Sequence, residues 1–270
     1  MGDVIACANQ KGGVGKTTTV INLAAYLALS DRRVLVIDLD PQGNATSGLG
    51  LDRSAATGSV YAALLGDTSV ADLARPTQVQ NLWIVPSGAD LAGAEVELIS
   101  IGQRERRLQH ALDEVRDGYD FILLDCPPAV GLLTVNALTA ADGVLVPIQC
   151  EYYALEGLSQ LLSTINLVRD NLNPRLKLAG VLLTMFDART TLSADVAREV
   201  RRHLGSSVFD AIIPRSVRLA ESPSYGRPIV RYSPESRGAQ AYSALAEEVL
   251  QRHPHLRART EATRDVAVTA

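Results

Sequence analysis

Short, nearly continuous apolar runs alternate along the chain with longer stretches whose apolar residues recur at helical spacing. The runs Val4–Ala8, Arg33–Asp38, Leu82–Pro86, Phe121–Asp125, Gly143–Ile148, Ala179–Met185 and Ala211–Pro214 predict strands. Few of them alternate with polar residues, as expected when both faces of a mostly parallel sheet are covered. Helices are predicted over Lys16–Ser30, Gln103–Arg116, Leu132–Ala140, Ala154–Asn171, Ser193–Leu204 and Gly238–Arg252. Strand alternating with helix implies right-handed crossovers, hence an α/β fold with a doubly wound, mostly parallel sheet flanked by helices. Ligands in such sheets sit at the carboxyl ends of the strands, so those loops are where chemistry is sought. Thr57–Gln80 is weakly patterned and is expected to cap one sheet edge. With no internal repeat or linker, residues 1–254 are expected to form one domain. The small and charged residues of 255–270 predict a disordered tail.

Composition narrows this picture little. The chain has 270 residues, 47% of them hydrophobic but only 4% aromatic, so aliphatic side chains must build the core. Its net charge of −4 gives no global sign of nucleic-acid binding, so any such surface must be local. Cys7, Cys126 and Cys150 are odd in number, far apart and set in apolar runs, which reads as reduced thiols in a cytosolic protein. No basic segment precedes the first apolar run, and no run approaches the ~20 residues that span a bilayer.

The densest chemistry follows the first strand, in Lys11-Gly12-Gly13-Val14-Gly15-Lys16-Thr17-Thr18. Glycines let the backbone curl until successive N–H groups point at one spot, and the following helix adds its positive end. This is a phosphate loop for ATP: Lys16 reaches the β- and γ-phosphates and the Thr17 hydroxyl ligates Mg2+ directly. The second strand ends in Asp38-Leu39-Asp40-Pro41-Gln42. Period two puts Asp38 and Asp40 on one face; Asp40 is the candidate to orient the attacking water. Asp38 has two readings, part of the metal shell or an acceptor for nearby backbone N–H groups. Phe121-Ile122-Leu123-Leu124-Asp125 is a Walker B strand whose Asp125 would hold Mg2+ through water. No histidine lies near Cys126 in sequence, so a thiol nucleophile is not expected.

Gln10 stands where the general phosphate loop has its first glycine, and Lys11 sits inside the loop instead. That Lys-Gly-Gly-x-Gly-Lys-Thr form resembles the deviant Walker A motif of the MinD/ParA/nitrogenase-iron-protein group of P-loop NTPases. The phrases Ala8-Asn9-Gln10-Lys11-Gly12-Gly13, Asp38-Leu39-Asp40-Pro41-Gln42-Gly43-Asn44 and Ile213-Pro214-Arg215-Ser216-Val217-Arg218-Leu219-Ala220-Glu221-Ser222-Pro223-Ser224-Tyr225-Gly226-Arg227-Pro228 look like ParA/Soj chromosome-partitioning ATPases in particular. The likeness runs from Val4 to about Arg252 and points to the short, chromosomal form without an operator-binding extension. It implies that Lys11 and Glu151 make dimer contacts at the partner's nucleotide, Lys11 being counted with Lys16 and Asp40 among the catalytic residues. It places the adenine near Met185, Pro214 and Ser216, where many relatives have Asn in place of Ser216. Solvent exposure for Lys11, helix capping for Glu151 and core filling for Met185 are the plain alternatives.

Between 189 and 237 stand nine arginines against five acidic residues. On composition alone this is a solvated surface; with the resemblance it becomes a DNA face, and Arg189, Arg202, Arg218 and Arg227 are its candidates. The implied function is an ATP-dependent partition switch: ATP drives a sandwich homodimer, the dimer binds double-stranded DNA nonspecifically, and hydrolysis releases it. That hydrolysis is slow unless stimulated by a ParB-like partner, and the protein is cytoplasmic and nucleoid-associated. The alternative, a MinD-like membrane-associated ATPase, needs a basic amphipathic C-terminal helix; 257–270 offers only Val266 and Val268 as sizeable apolar groups. An iron–sulfur electron donor needs a matched cysteine pair, which is not evident here.

Overall fold

The computed structural model describes residues 1–52, 58–151 and 154–254. The predicted tail at 255–270 lies outside them. The strands are β1 (Asp3–Cys7), β2 (Val34–Asp38), β3 (Arg75–Pro76), β4 (Leu82–Val85), β5 (Phe121–Asp125), β6 (Gly143–Gln149), β7 (Lys177–Phe186) and β8 (Val208–Pro214). The first helices are α1 (Lys16–Leu29), α2 (Asn44–Gly48), α3 (Val60–Leu65), α4 (Val70–Leu73), α5 (Leu91–Glu97) and α6 (Arg107–Asp113). There follow α7 (Leu132–Ala140), α8 (Ala154–Asn171), α9 (Thr191–Leu204), α10 (Val217–Glu221), α11 (Ile229–Tyr232) and α12 (Arg237–Arg252).

One sheet holds all eight strands in the order β3-β4-β2-β5-β1-β6-β7-β8. Only the short edge strand β3 runs antiparallel, against β4. Alternation along each strand divides the core in two. Val4, Ala6, Leu35, Ile37, Ile122 and Leu124 face the layer that carries α3 to α9. Ile5, Cys7, Val34, Val36, Phe121 and Leu123 face α1, α2 and α10 to α12. Both faces are therefore buried, which explains why the strands read as continuous apolar runs.

Residues 58–80 form α3, α4 and β3, the last of which closes the sheet edge as expected. The helix predicted over Gln103–Arg116 is a correction. Gln103 has a left-handed φ of 55°, Arg104–Arg106 is a 3-10 turn, and α6 ends at Asp113 before a second 3-10 turn at Arg116–Gly118. Helices α2 to α5, α10 and α11 were not anticipated. They are four to seven residues long, too short for a helical period to declare itself. Serine caps start three of them, Ser59, Ser69 and Ser216, each accepting a backbone N–H of the first turn.

Candidate functional site

The phosphate loop leaves β1 and enters α1 through two left-handed glycines, Gly13 (φ 74°) and Gly15 (φ 92°). An L side chain is strained in that conformation, so these positions set the curl of the loop. Lys16, only 6% exposed, folds its Nζ back to donate to the Lys11 carbonyl oxygen at 3.2 Å. Two buried groups brace the loop. The Thr184 hydroxyl on β7 donates to the Val14 carbonyl at 2.8 Å. Asn9 donates to the Pro147 carbonyl on β6 at 2.8 Å and accepts the Lys11 N–H at 3.0 Å. Sequence reading missed both; a lone polar residue inside an otherwise apolar strand, as Thr184 is, was the available signal.

Strand order brings the acidic residues under this loop. β5 lies between β1 and β2, with Asp125 in register with Cys7 on one side and Asp38 on the other. Asp38 is fully used: its oxygens accept from the Asp40 N–H at 3.2 Å, the Thr46 N–H at 2.8 Å and the Thr46 hydroxyl at 2.7 Å. Of its two readings the structure supports the backbone acceptor, which ties the start of α2 to β2. Burial raises the Asp38 carboxyl to about 6 against the pull of those Thr46 bonds. Asp40 is 7% exposed, accepts the Gln42 N–H at 2.9 Å through Oδ1, and is fixed by the Ser87 hydroxyl on its carbonyl at 2.7 Å.

Asp125 differs from both. It is fully buried and neither oxygen makes a hydrogen bond. Burial lifts its carboxyl well above the usual range, and the negative charge of Asp38 adds to this. The Thr17 hydroxyl pulls the other way without reaching hydrogen-bond geometry. A buried carboxylate left without a donor is costly unless a cation answers it. An orphaned carboxylate beside a threonine at a helix start fits a hard, oxygen-liganded ion such as Mg2+. The neighbouring thiols are unreactive: burial, first of all, raises Cys7 and Cys126, and it pushes Cys150 up to about 11.

Met185, Pro214 and Ser216 line one cavity of about 370 Å³, which also includes Gly15, Thr18 and Tyr242. The cavity therefore opens beside the phosphate loop. Met185 holds a left-handed φ of 51°, which sets it apart from an ordinary strand residue. The Ser216 hydroxyl already accepts the Leu219 N–H as the cap of α10.

A family model described as AAA domain matches residues 2–178. Sporulation initiation inhibitor protein Soj of Bacillus subtilis is 55% identical over 249 residues, covering 92% of this chain and 98% of that protein. Chromosome partitioning protein ParA of Myxococcus xanthus is 54% identical, covering 93% and 89%. This chain belongs to the Soj/ParA family of chromosome-partitioning proteins. Two solved structures agree with the Soj/ParA fold. Cobyrinic acid a,c-diamide synthase of Mycobacterium smegmatis, with bound ADP and magnesium, has a TM-score of 0.84 at 41% identity, covering 95% of this chain and 97% of that one. The cell division ATPase MinD of Pyrococcus furiosus has a TM-score of 0.78 at 28% identity, covering 93% and 99%.

The remaining candidates of this Soj/ParA chain lie around the same edge, with one exception. Lys11 and Glu151 are both exposed and face one another at 3.7 Å, and Glu151 also accepts from Gln149. Arg189 pairs with Asp187 just past β7, and Arg218 pairs with Glu221 on α10. Arg227 is exposed and makes no ion pair among the described residues. Arg202 sits apart. It pairs with Glu199 in the last turn of α9, which runs back along β7 and places it roughly 20 Å from Arg189, at the amino end of β8. Among the described residues no helix is long and apolar enough to cross a membrane.

Proposed function

We propose that residues 1–254 act as one ATPase domain whose nucleotide state controls DNA binding. ATP closes two copies into a sandwich dimer, the dimer holds double-stranded DNA without sequence preference, and hydrolysis releases it. The reading rests above all on one observation: the orphaned carboxylate of Asp125, in register with Asp38, directly below the phosphate loop. The M. smegmatis relative with bound ADP and magnesium supports the same cofactors here.

Backbone N–H groups of Gly12 to Thr18 cradle the phosphates, and Lys16 exchanges its bond to the Lys11 carbonyl for phosphate oxygens. When bound, Mg2+ neutralises charge on the β- and γ-phosphates. Thr17 and Asp125 would hold the ion. Asp40, rigid through its bonds to Gln42 and Ser87, orients the attacking water. Adenine occupies the cavity of Met185, Pro214 and Ser216, chiefly by packing, because the Ser216 hydroxyl is committed to its cap. Lys11 leaves Glu151 of its own chain to reach the partner's nucleotide, and Glu151 turns to the same interface. Arg189, Arg218 and Arg227 form the DNA face; Arg202, at the far edge, is outside it. Turnover is slow until a ParB-like protein docks, and the protein resides in the cytoplasm on the nucleoid.

The test is nonspecific duplex binding with ATP and with ADP across a salt series. Binding should require ATP and fall linearly in log K against log salt. Equal affinity in the two nucleotides would overturn the switch.

A further inference from the structure

Residues 215–237 carry five arginines against two glutamates, a net charge of +3, and all five arginines are exposed. Among the described residues Arg215, Arg227, Arg231 and Arg237 make no ion pair. In their midst stands Tyr225, 64% exposed, at the end of a 3-10 turn closed by the left-handed Gly226. Its ring stacks on Tyr232, with centroids 4.9 Å apart and planes at 29°. The Tyr232 hydroxyl donates to Glu221 Oε2 at 3.0 Å, and Arg218 donates to the same oxygen at 3.1 Å. Arg218, Glu221, Tyr232 and Tyr225 are thus one contiguous group, and Arg227 follows Tyr225 by two residues.

This group rests on a firm base. Buried Asn22 of α1 accepts the Ile229 N–H at 2.7 Å. Gly226 packs so closely on Gly50 that a Cβ would come within 2.9 Å of its Cα. The backbone that carries Tyr225 is therefore anchored, its ring is covered on one face by Tyr232, and its phenolic hydroxyl makes no hydrogen bond among the described residues. A tyrosine, with only two side-chain torsions, presents its O–H at little entropic cost. Hydroxyl and guanidinium donors together are what duplex phosphates accept.

Building on the DNA-binding reading above, we propose that Tyr225 is a DNA-contact residue whose phenolic O–H donates to a backbone phosphate of the duplex, beside Arg218 and Arg227. One ring face is covered by Tyr232, so the contact is made by the hydroxyl tip and not by stacking on a base.

The experiment compares wild type, Tyr225→Phe, Tyr225→Ala and Arg227→Ala by anisotropy on a labelled duplex with a nonhydrolysable ATP analogue across a salt series. Tyr225→Phe should weaken binding roughly threefold to tenfold, the loss of one hydrogen bond, and leave the salt slope unchanged because no charge is removed. Tyr225→Ala should lose at least as much. Arg227→Ala should lower the slope by about 0.9 for each copy of the dimer that engages the duplex. Wild-type affinity in Tyr225→Phe overturns the proposal, including the case where only Tyr225→Ala is weak, which would mark ring packing instead. If wild type itself binds no duplex, this proposal and the switch fail together; if wild type binds and Tyr225→Phe matches it, this one alone fails.

Discussion

Asp125 and Asp40 are both acids at strand ends, yet their surroundings assign them different chemistry. Asp125 has no donor and a raised carboxyl pKa, so the folded state favours its protonated form. Stability from such a group is full below the unfolded carboxyl's pKa and is lost as pH rises through the folded one. Holding a cation demands the ionised form, so magnesium-dependent stabilisation by ADP should grow as pH is raised and shrink as it is lowered. Asp125→Asn should keep or raise the melting temperature without nucleotide and lose the magnesium increment at every pH. An increment that survives in Asp125→Asn would remove this residue from the metal site. Asp40 accepts the Gln42 N–H on its carboxylate and the Ser87 hydroxyl on its carbonyl, which suits the proposed role of orienting water. Asp40→Ala should abolish phosphate release, by a hundredfold or more on the scale of a lost catalytic base, yet retain ATP-dependent dimers. Monomers with ATP in sedimentation would sink that role.

At the scale of elements, the short helices matter because of what fastens them. α2 hangs from β2 through Asp38 and Thr46, and the Ser87 N–H after β4 donates to the same Thr46 hydroxyl at 3.0 Å. The loop that carries Asp40 is thereby tied to three parts of the chain. α11 hangs from α1 through Asn22. Asn22→Ala leaves a buried N–H without an acceptor and should cost about 1–3 kcal/mol in urea unfolding. Duplex affinity should drop with it and ATP affinity should fall less: Asn22 also donates to the Thr18 carbonyl at 2.8 Å, but the phosphate loop's other braces, Thr184 and Asn9, are untouched. Unchanged stability would show that the Ile229 N–H finds another partner.

For the whole molecule, the sheet's carboxyl edge gathers the phosphate loop, the acids, the cavity of Met185, Pro214 and Ser216, and all but one of the DNA candidates. A nucleotide that joins two copies at that edge brings two arginine faces together, and phosphate contacts add. Lys11→Ala should therefore lower both ATP-dependent dimerisation and duplex affinity; full DNA binding in Lys11→Ala would count against a cross-dimer contact. Arg218→Glu should weaken duplex binding at least tenfold, losing one contact and adding a repulsion, with ATP affinity unchanged. Arg202→Ala should leave the salt slope where it was. A slope reduced by about 0.9 for each engaged copy would return Arg202 to the DNA face.

The seven parallel strands, the longer helices, the phosphate loop and the two strand-end acids Asp38 and Asp125 are legible in the sequence, because each is built from neighbouring residues whose spacing carries its own physics. Glycines before a lysine and a threonine, or four apolar residues before an aspartate, need no distant partner to be read. What Asp38 does could not be read this way: its partners are Thr46 and the Asp40 N–H, and only folding shows that they consume both oxygens. The bracing by Thr184, 170 residues from Val14, and the separation of Arg202 from Arg189 by the length of α9 are likewise invisible along the chain. Contiguous residues determined which chemistry this protein carries. Long-range packing decided which acid is left bare for a cation, which arginines share a face, and which tyrosine stands among them.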